Sequence, residues 1–117
     1  MLRIGSFVMH CNDFEPTVRF WQEALHYAQR EPASDGWVVL KDPEGIRPNV
    51  SIQGTDQLKF GRNRLHMDLY ASDQKAEVER LIKLGARIDH VPSRGDFVVM
   101  ADPEGKLFCV VQVPERT

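Results

Sequence analysis

Asp42-Pro43-Glu44-Gly45 and Asp102-Pro103-Glu104-Gly105 spell one turn twice, sixty positions apart in a chain of 117 residues. Pro presets φ at the second position of a turn and Gly supplies the positive φ at its end, so each DPEG is a chain reversal. The runs before them, Trp37 to Lys41 (WVVLK) and Phe97 to Ala101 (FVVMA), are rich in β-formers, and Asn49 to Gln53 and Leu107 to Val113 return as strands. Each DPEG therefore joins two strands.

The same offset recurs upstream. Ile4 to His10 is strand-like and stops at Asn12-Asp13, where Asp13 can cap a helix whose apolar stripe is Phe14, Val18, Trp21 and Leu25, widened by Phe20 and Ala24. Pro16 falls in its first turn, where a missing N–H costs little. Arg64 to Tyr70 is the matching strand, and Ser72 or Asp73 caps a second helix that runs to Leu84, with Gly85 as a left-handed end. Val78, Leu81 and Ile82 form its apolar face, and Glu79 and Lys83 are spaced as an i,i+4 pair. A weak strand is predicted near Tyr27 to Arg30 and another strand at Arg87 to Val91, and the polar stretch Gly54 to Asn63 is a connection. Two caps and two turns in register make the chain a tandem repeat of one βαβββ unit, about 1–57 and about 58–117, within a single α+β domain over 1–117.

Composition narrows the function classes. Apolar residues at 42% and charged residues at 27% are globular proportions, and a net charge of −2 gives no basic footprint for nucleic acid or an anionic membrane. The opening MLRIGSFVMHC is too short and too polar for a signal peptide, and no apolar run is long enough to span a bilayer, so a cytoplasmic protein is expected. Cys11 and Cys109 form no CxxC pair and read as reduced side chains. No GxGxxG, P-loop, HExxH or GxSxG motif occurs, and the acids of the DPEG turns are too few for a calcium loop.

The tandem order, the endings GIRPNVSIQ and GKLFCVVQ, and the segment RLHMDLYASDQKAEVERLIKLGARI resemble the vicinal oxygen chelate superfamily, which includes glyoxalase I, bleomycin resistance proteins and extradiol dioxygenases. The resemblance covers nearly the whole chain. It implies two curved four-stranded mixed sheets around clefts with helices outside, and a homodimer. In metal-using members it implies ligands on the first and last strands of each unit, where an ion polarises substrate oxygens. Here those positions fall at Ser6, Val50, His66 and Cys109, and His66 alone is a good ligand, so no cofactor is expected and a divalent metal is disfavoured.

Strand Arg64 to Tyr70 alternates: Leu65, Met67 and Leu69 should pack under a helix, and Arg64, His66, Asp68 and Tyr70 should line the cleft or face solvent, the resemblance implying the cleft. His66 and Asp68 are neighbours two apart, so the carboxylate could orient the imidazole for acid–base work, or both could simply be polar residues of the groove. The expected ligand pocket is Ser6, Val8, Trp37, Val50, His66, Asp68, Tyr70 and Cys109. Trp37 suits either an aromatic wall over a ligand or a partly exposed structural side chain. Cys109 reads as an apolar filler, with an activated thiol as the alternative. His10, His26 and His90 read as loop or surface residues. Two functions follow: binding of a small aromatic or amphipathic molecule without chemistry, or a lyase, isomerase or oxygenase using His66 with or without a metal.

Overall fold

The computed structural model describes residues 1–56, 65–93 and 95–114. It is an α+β protein with the order β1 (Leu2–Cys11), α1 (Phe14–Leu25), β2 (Ala28–Gln29), β3 (Trp37–Lys41), β4 (Asn49–Gly54), β5 (Leu65–Ala71), α2 (Gln74–Lys83), β6 (Arg87–His90), β7 (Phe97–Ala101) and β8 (Leu107–Gln112). This is βαβββ twice. Of the predicted 54–63 connection, 57–63 lie outside the described residues, as does Arg64 of the predicted strand.

Two compact units are formed, one of Ser6–Leu65 and the other of Met1–Gly5 with His66–Thr117. The division departs from the repeat boundary because the start of β1 is tied to the later residues. Leu2 packs on the second unit's core, and the N-terminal amine pairs with Glu77 at 3.7 Å.

In the first unit the strand order is β2-β3-β4-β1, with β1 parallel to β4 and the other pairs antiparallel. Its core is Val18 of α1 against Val38, Leu40, Val50 and Ile52, flanked by Met9, Cys11, Phe14, Trp21 and Tyr27. In the second unit the order is β5-β8-β7-β6, with β5 parallel to β8. Val78 of α2 packs there on Ala71, Met100 and Val110, with Leu81, Ala86, Val98 and Phe108 around them. Side chains alternate across a strand, so the strands of each unit present a helix-covered face made of these residues and a helix-free face made of the ones between.

The repeated turn closes the same way in both copies. The Gly45 N–H donates to the Asp42 carbonyl and the Gly105 N–H to that of Asp102, each at 2.9 Å, with φ of 70° and 85° at the glycines. Asp42 is buried, and its carboxylate accepts from the backbone N–H groups of Glu44, Ile46 and Arg47 and from the Arg47 guanidinium. Asp102 accepts only from the N–H groups of Glu104 and Lys106. The hydrogen bonds from Glu44 and Arg47 hold the Asp42 carboxyl below its ordinary range.

Several expectations are corrected. Asp13 makes no side-chain cap; Thr17 instead returns its N–H and hydroxyl to the Asp13 carbonyl, whereas Asp73 caps α2 by accepting from the Ala76 N–H. Phe20 does not widen the apolar stripe but stands 61% exposed, its ring edge-on to Trp21. Ile82 is also largely exposed. Glu77, rather than Glu79, finds a cation in α2, the Arg80 guanidinium at 2.8 Å. Leu65 and Met67 share the helix-covered face with Ala71, yet both are exposed, because α2 reaches only the Ala71 end of β5. Among the described residues no helix is long and apolar enough to cross a membrane.

Candidate functional site

The parallel pairing of β5 with β8 sets Asp68 directly beside Cys109 and Tyr70 beside Val111. β7 continues both rows, Val99 beside Cys109 and Phe97 beside Val111. All six lie on the helix-free face, since Ala71, Val98, Met100 and Val110 between them belong to the helix-covered core. His66 precedes Asp68 by two, and its Nε2 lies 3.6 Å from Asp68 Oδ1. Both side chains are about one-fifth exposed.

His66, Asp68 and Cys109 thus bring one imidazole, one carboxylate and one thiol together, with ligand atoms all within 4.8 Å of one another. Burial pushes the Cys109 thiol up to about 12, and the charge of Asp68 and a hydrogen bond to its carboxylate add to the shift. The thiol is therefore a protonated donor to Asp68 at neutral pH, which corrects the activated-thiol alternative. As a metal group the trio fits: an imidazole and two anionic donors leaving a further position open is the pattern of catalytic sites for a borderline ion such as zinc. Binding an ion there would displace the thiol proton. The sequence pointed to His66 and Cys109 but missed Asp68 as the third donor, because only the β5–β8 register makes it their common neighbour.

Tyr70, on the same face, is seated by glycine. A methyl group added at Gly5 would fall within the Tyr70 ring, so the absence of a side chain there is what admits the ring. The Arg3 guanidinium carbon lies over that ring, 5.2 Å from its centroid.

The first unit treats the equivalent places differently. Val8 stands beside Ser51 as Asp68 stands beside Cys109. Ser6, in the place of His66, shares a 2.7 Å hydrogen bond with Ser51, and these residues are only 1% and 2% exposed. Val8 is buried on the same face, and Trp37 and Gln53 are paired across β3 and β4 on that face too. Val50, by contrast, is in the core under α1, so the ligand-strand position of this unit belongs to Ser51. Two hydroxyls and an aliphatic side chain hold no metal. His26 is exposed in the left-handed conformation that ends α1, and His90 meets the Asp89 carboxylate at 2.7 Å on the exposed edge strand, a carboxylate partner that sequence reading passed over.

Comparison with known proteins agrees with the fold. The chain covers 97% of itself and 100% of a glyoxalase/bleomycin resistance protein/dioxygenase superfamily member from Vibrio splendidus, at 16% identity and a TM-score of 0.67. It covers 97% of itself and 98% of a Streptomyces coelicolor methylmalonyl-CoA epimerase in complex with 2-nitronate-propionyl-CoA, at 17% identity and a TM-score of 0.69. For methylmalonyl-CoA epimerase from Mycobacterium tuberculosis the coverage is 97% and 89%, the identity 15% and the TM-score 0.69. At such identities the likeness is one of fold. No curated protein sequence matches. The family model described as a glyoxalase-like domain matches residues 6–111, which takes in both repeats and every residue of the His66, Asp68 and Cys109 group. With that match laid over the twice-repeated βαβββ order, the chain belongs to the glyoxalase-like domain family of the vicinal oxygen chelate superfamily.

Proposed function

We propose that the protein binds a small amphipathic organic molecule on the helix-free face of its second unit, over His66, Asp68 and Cys109. The observation that carries this is the composition of that face: a half-buried polar trio beside an apolar row of Tyr70, Val111 and Phe97. Sites for small molecules combine an apolar wall with a few convergent polar groups. A protonated thiol spent on Asp68 is a poor nucleophile, which favours binding over covalent chemistry. Support for a ligand of this general kind comes from the fold, since one structural neighbour is a complex with 2-nitronate-propionyl-CoA. A homodimer is part of the proposal and is read by analytical ultracentrifugation.

A second reading rests on the donor trio. His66, Asp68 and Cys109 would hold a divalent ion, which supplies Lewis-acid polarisation of a substrate oxygen when bound. With no ion bound, the His66 imidazole beside Asp68 is instead the group that would take or return a proton in a lyase or isomerase.

Metal analysis of untagged protein, followed by a thermal-shift screen of small aromatics and α-ketoaldehyde adducts and a turnover assay on each hit, separates the two. Saturable binding without turnover, weakened by His66→Ala, is expected. Stoichiometric metal lost in His66→Ala, together with turnover, would overturn ligand binding as the function and establish the enzyme.

A further inference from the structure

Among the described residues Arg3 differs from every other lysine and arginine. Arg19, Arg30, Arg47, Arg80 and Arg87 are exposed, as are Lys41, Lys75, Lys83 and Lys106; Arg3 is half-buried. Arg47 pairs with Asp42 and Glu44, and Arg80 with Glu77, whereas Arg3 has no carboxylate partner among the described residues. Its guanidinium sits over the Tyr70 ring.

A partly desolvated cation without a counter-charge is costly unless something supplies one. A guanidinium held over an aromatic ring keeps its N–H edge available, and that edge matches the two oxygens of a carboxylate. Tyr70 follows Asp68 by two on one strand face, a separation on the order of 7 Å. Arg3, Gly5, Asp68 and Tyr70 all belong to the same compact unit. The anchoring cation and the polar trio are therefore one short molecule apart.

Resting on the small-molecule reading above, we infer that Arg3 anchors the carboxylate of that ligand, whose apolar body lies over Tyr70 with Val111 at its flank and whose far end meets Asp68 and His66. One guanidinium neutralises one negative charge. A singly charged carboxylate suits a face that already carries the acidic side chain of Asp68, and a doubly charged phosphate would leave net repulsion. The ligand class is thus a small amphipathic monocarboxylate.

The test uses the full chain with phenylacetate, phenylacetamide and phenyl phosphate as probes, followed by amide chemical shifts, on wild type, Arg3→Ala and Arg3→Lys. Phenylacetate is expected to shift amides of β5 and β8 and to bind about tenfold or more tighter than the isosteric amide. Arg3→Ala should weaken phenylacetate roughly 10- to 100-fold and leave phenylacetamide within about twofold, with Arg3→Lys between, because charge survives but the planar fork does not. Equal affinity for acid and amide in wild type overturns the Arg3 assignment alone, and that comparison needs no variant to fold. Tighter binding of phenyl phosphate overturns the carboxylate class. Failure of every probe to shift β5 or β8 overturns the inference and the binding proposal together.

Discussion

The state of the Cys109 thiol gives the sharpest check on the site. Burial, then the charge of Asp68, then the hydrogen bond to it, take this thiol from 9.0 to about 12. At a pH of about 8 the thiolate fraction is then about 10⁻⁴, against about one in ten for an unshifted thiol, a difference on the order of a thousandfold in reactive species. Alkylation by iodoacetamide, followed at the Cys109 peptide by mass spectrometry so that Cys11 does not interfere, should rise about tenfold per pH unit with no plateau up to a pH of about 11. Asp68→Asn keeps the side chain's size and removes its charge. The midpoint should fall yet stay above 9.0, because burial is the leading cause and persists. The folded state holds this proton more tightly than the unfolded chain, so its contribution to stability is intact below about 9 and is lost as pH rises toward 12. A wild-type plateau with a midpoint near 9, or an Asp68→Asn profile that does not move down, would refute the arrangement of Asp68 and Cys109.

Three further outcomes are expected. Gly5→Ala drives a methyl into the Tyr70 ring and should cost about 1–3 kcal/mol in urea unfolding, and Tyr70→Ala should relieve most of that cost in a double-mutant cycle. Ile52→Ala empties a fully buried position of the first unit's core and should cost about 2–5 kcal/mol, whereas Phe20→Ala, on the exposed side of α1, should be near neutral. Asp42→Ala should lower the melting temperature more than Asp102→Ala, since it strips four donors rather than two. Because the Asp42 carboxyl is depressed when folded, the difference between the two variants should be full above about 4 and shrink as pH falls below it.

The repeat was legible because its signals are local. Pro and Gly in a turn, and strands such as Trp37–Lys41 and Phe97–Ala101, come out residue for residue. The site was less legible because it depends on register. Aligning Gln53 with Gln112 selects Val50 as the counterpart of Cys109, but the pairing of β1 with β4 gives that place to Ser51. The error is one residue, and one residue exchanges the two faces of a strand. Its source is visible in the chain: between the glycine of the turn and the next strand, the first copy has Ile46, Arg47 and Pro48 where the second has Lys106 alone. One of the extra residues, Arg47, serves Asp42, giving it the two hydrogen bonds that Asp102 lacks. Burial followed the same limit. The alternation of β5 was right, but how far α2 reaches along it was not a property of that strand's sequence, and Leu65 and Met67 were left uncovered.

Equivalent places in the two units show where the chemistry resides. In the first, Ser6, Val8 and Ser51 are all buried, and the two hydroxyls satisfy each other. Buried hydroxyls that are mutually bonded cost little, offer no charge and need no ligand. In the second, the same three places carry an imidazole, a carboxylate and a thiol that remain partly open, with a half-buried arginine nearby that lacks a counter-ion among the described residues. Stability alone would favour the serine and valine solution in both copies, since it avoids desolvating Asp68 and Arg3. The second unit carries that electrostatic cost on one face of one sheet, and its helix-covered face is packed as conventionally as the first unit's. A repeat whose copies agree in turns, strands and cores but differ in the charge of a single face is the pattern that the proposed ligand at that face requires.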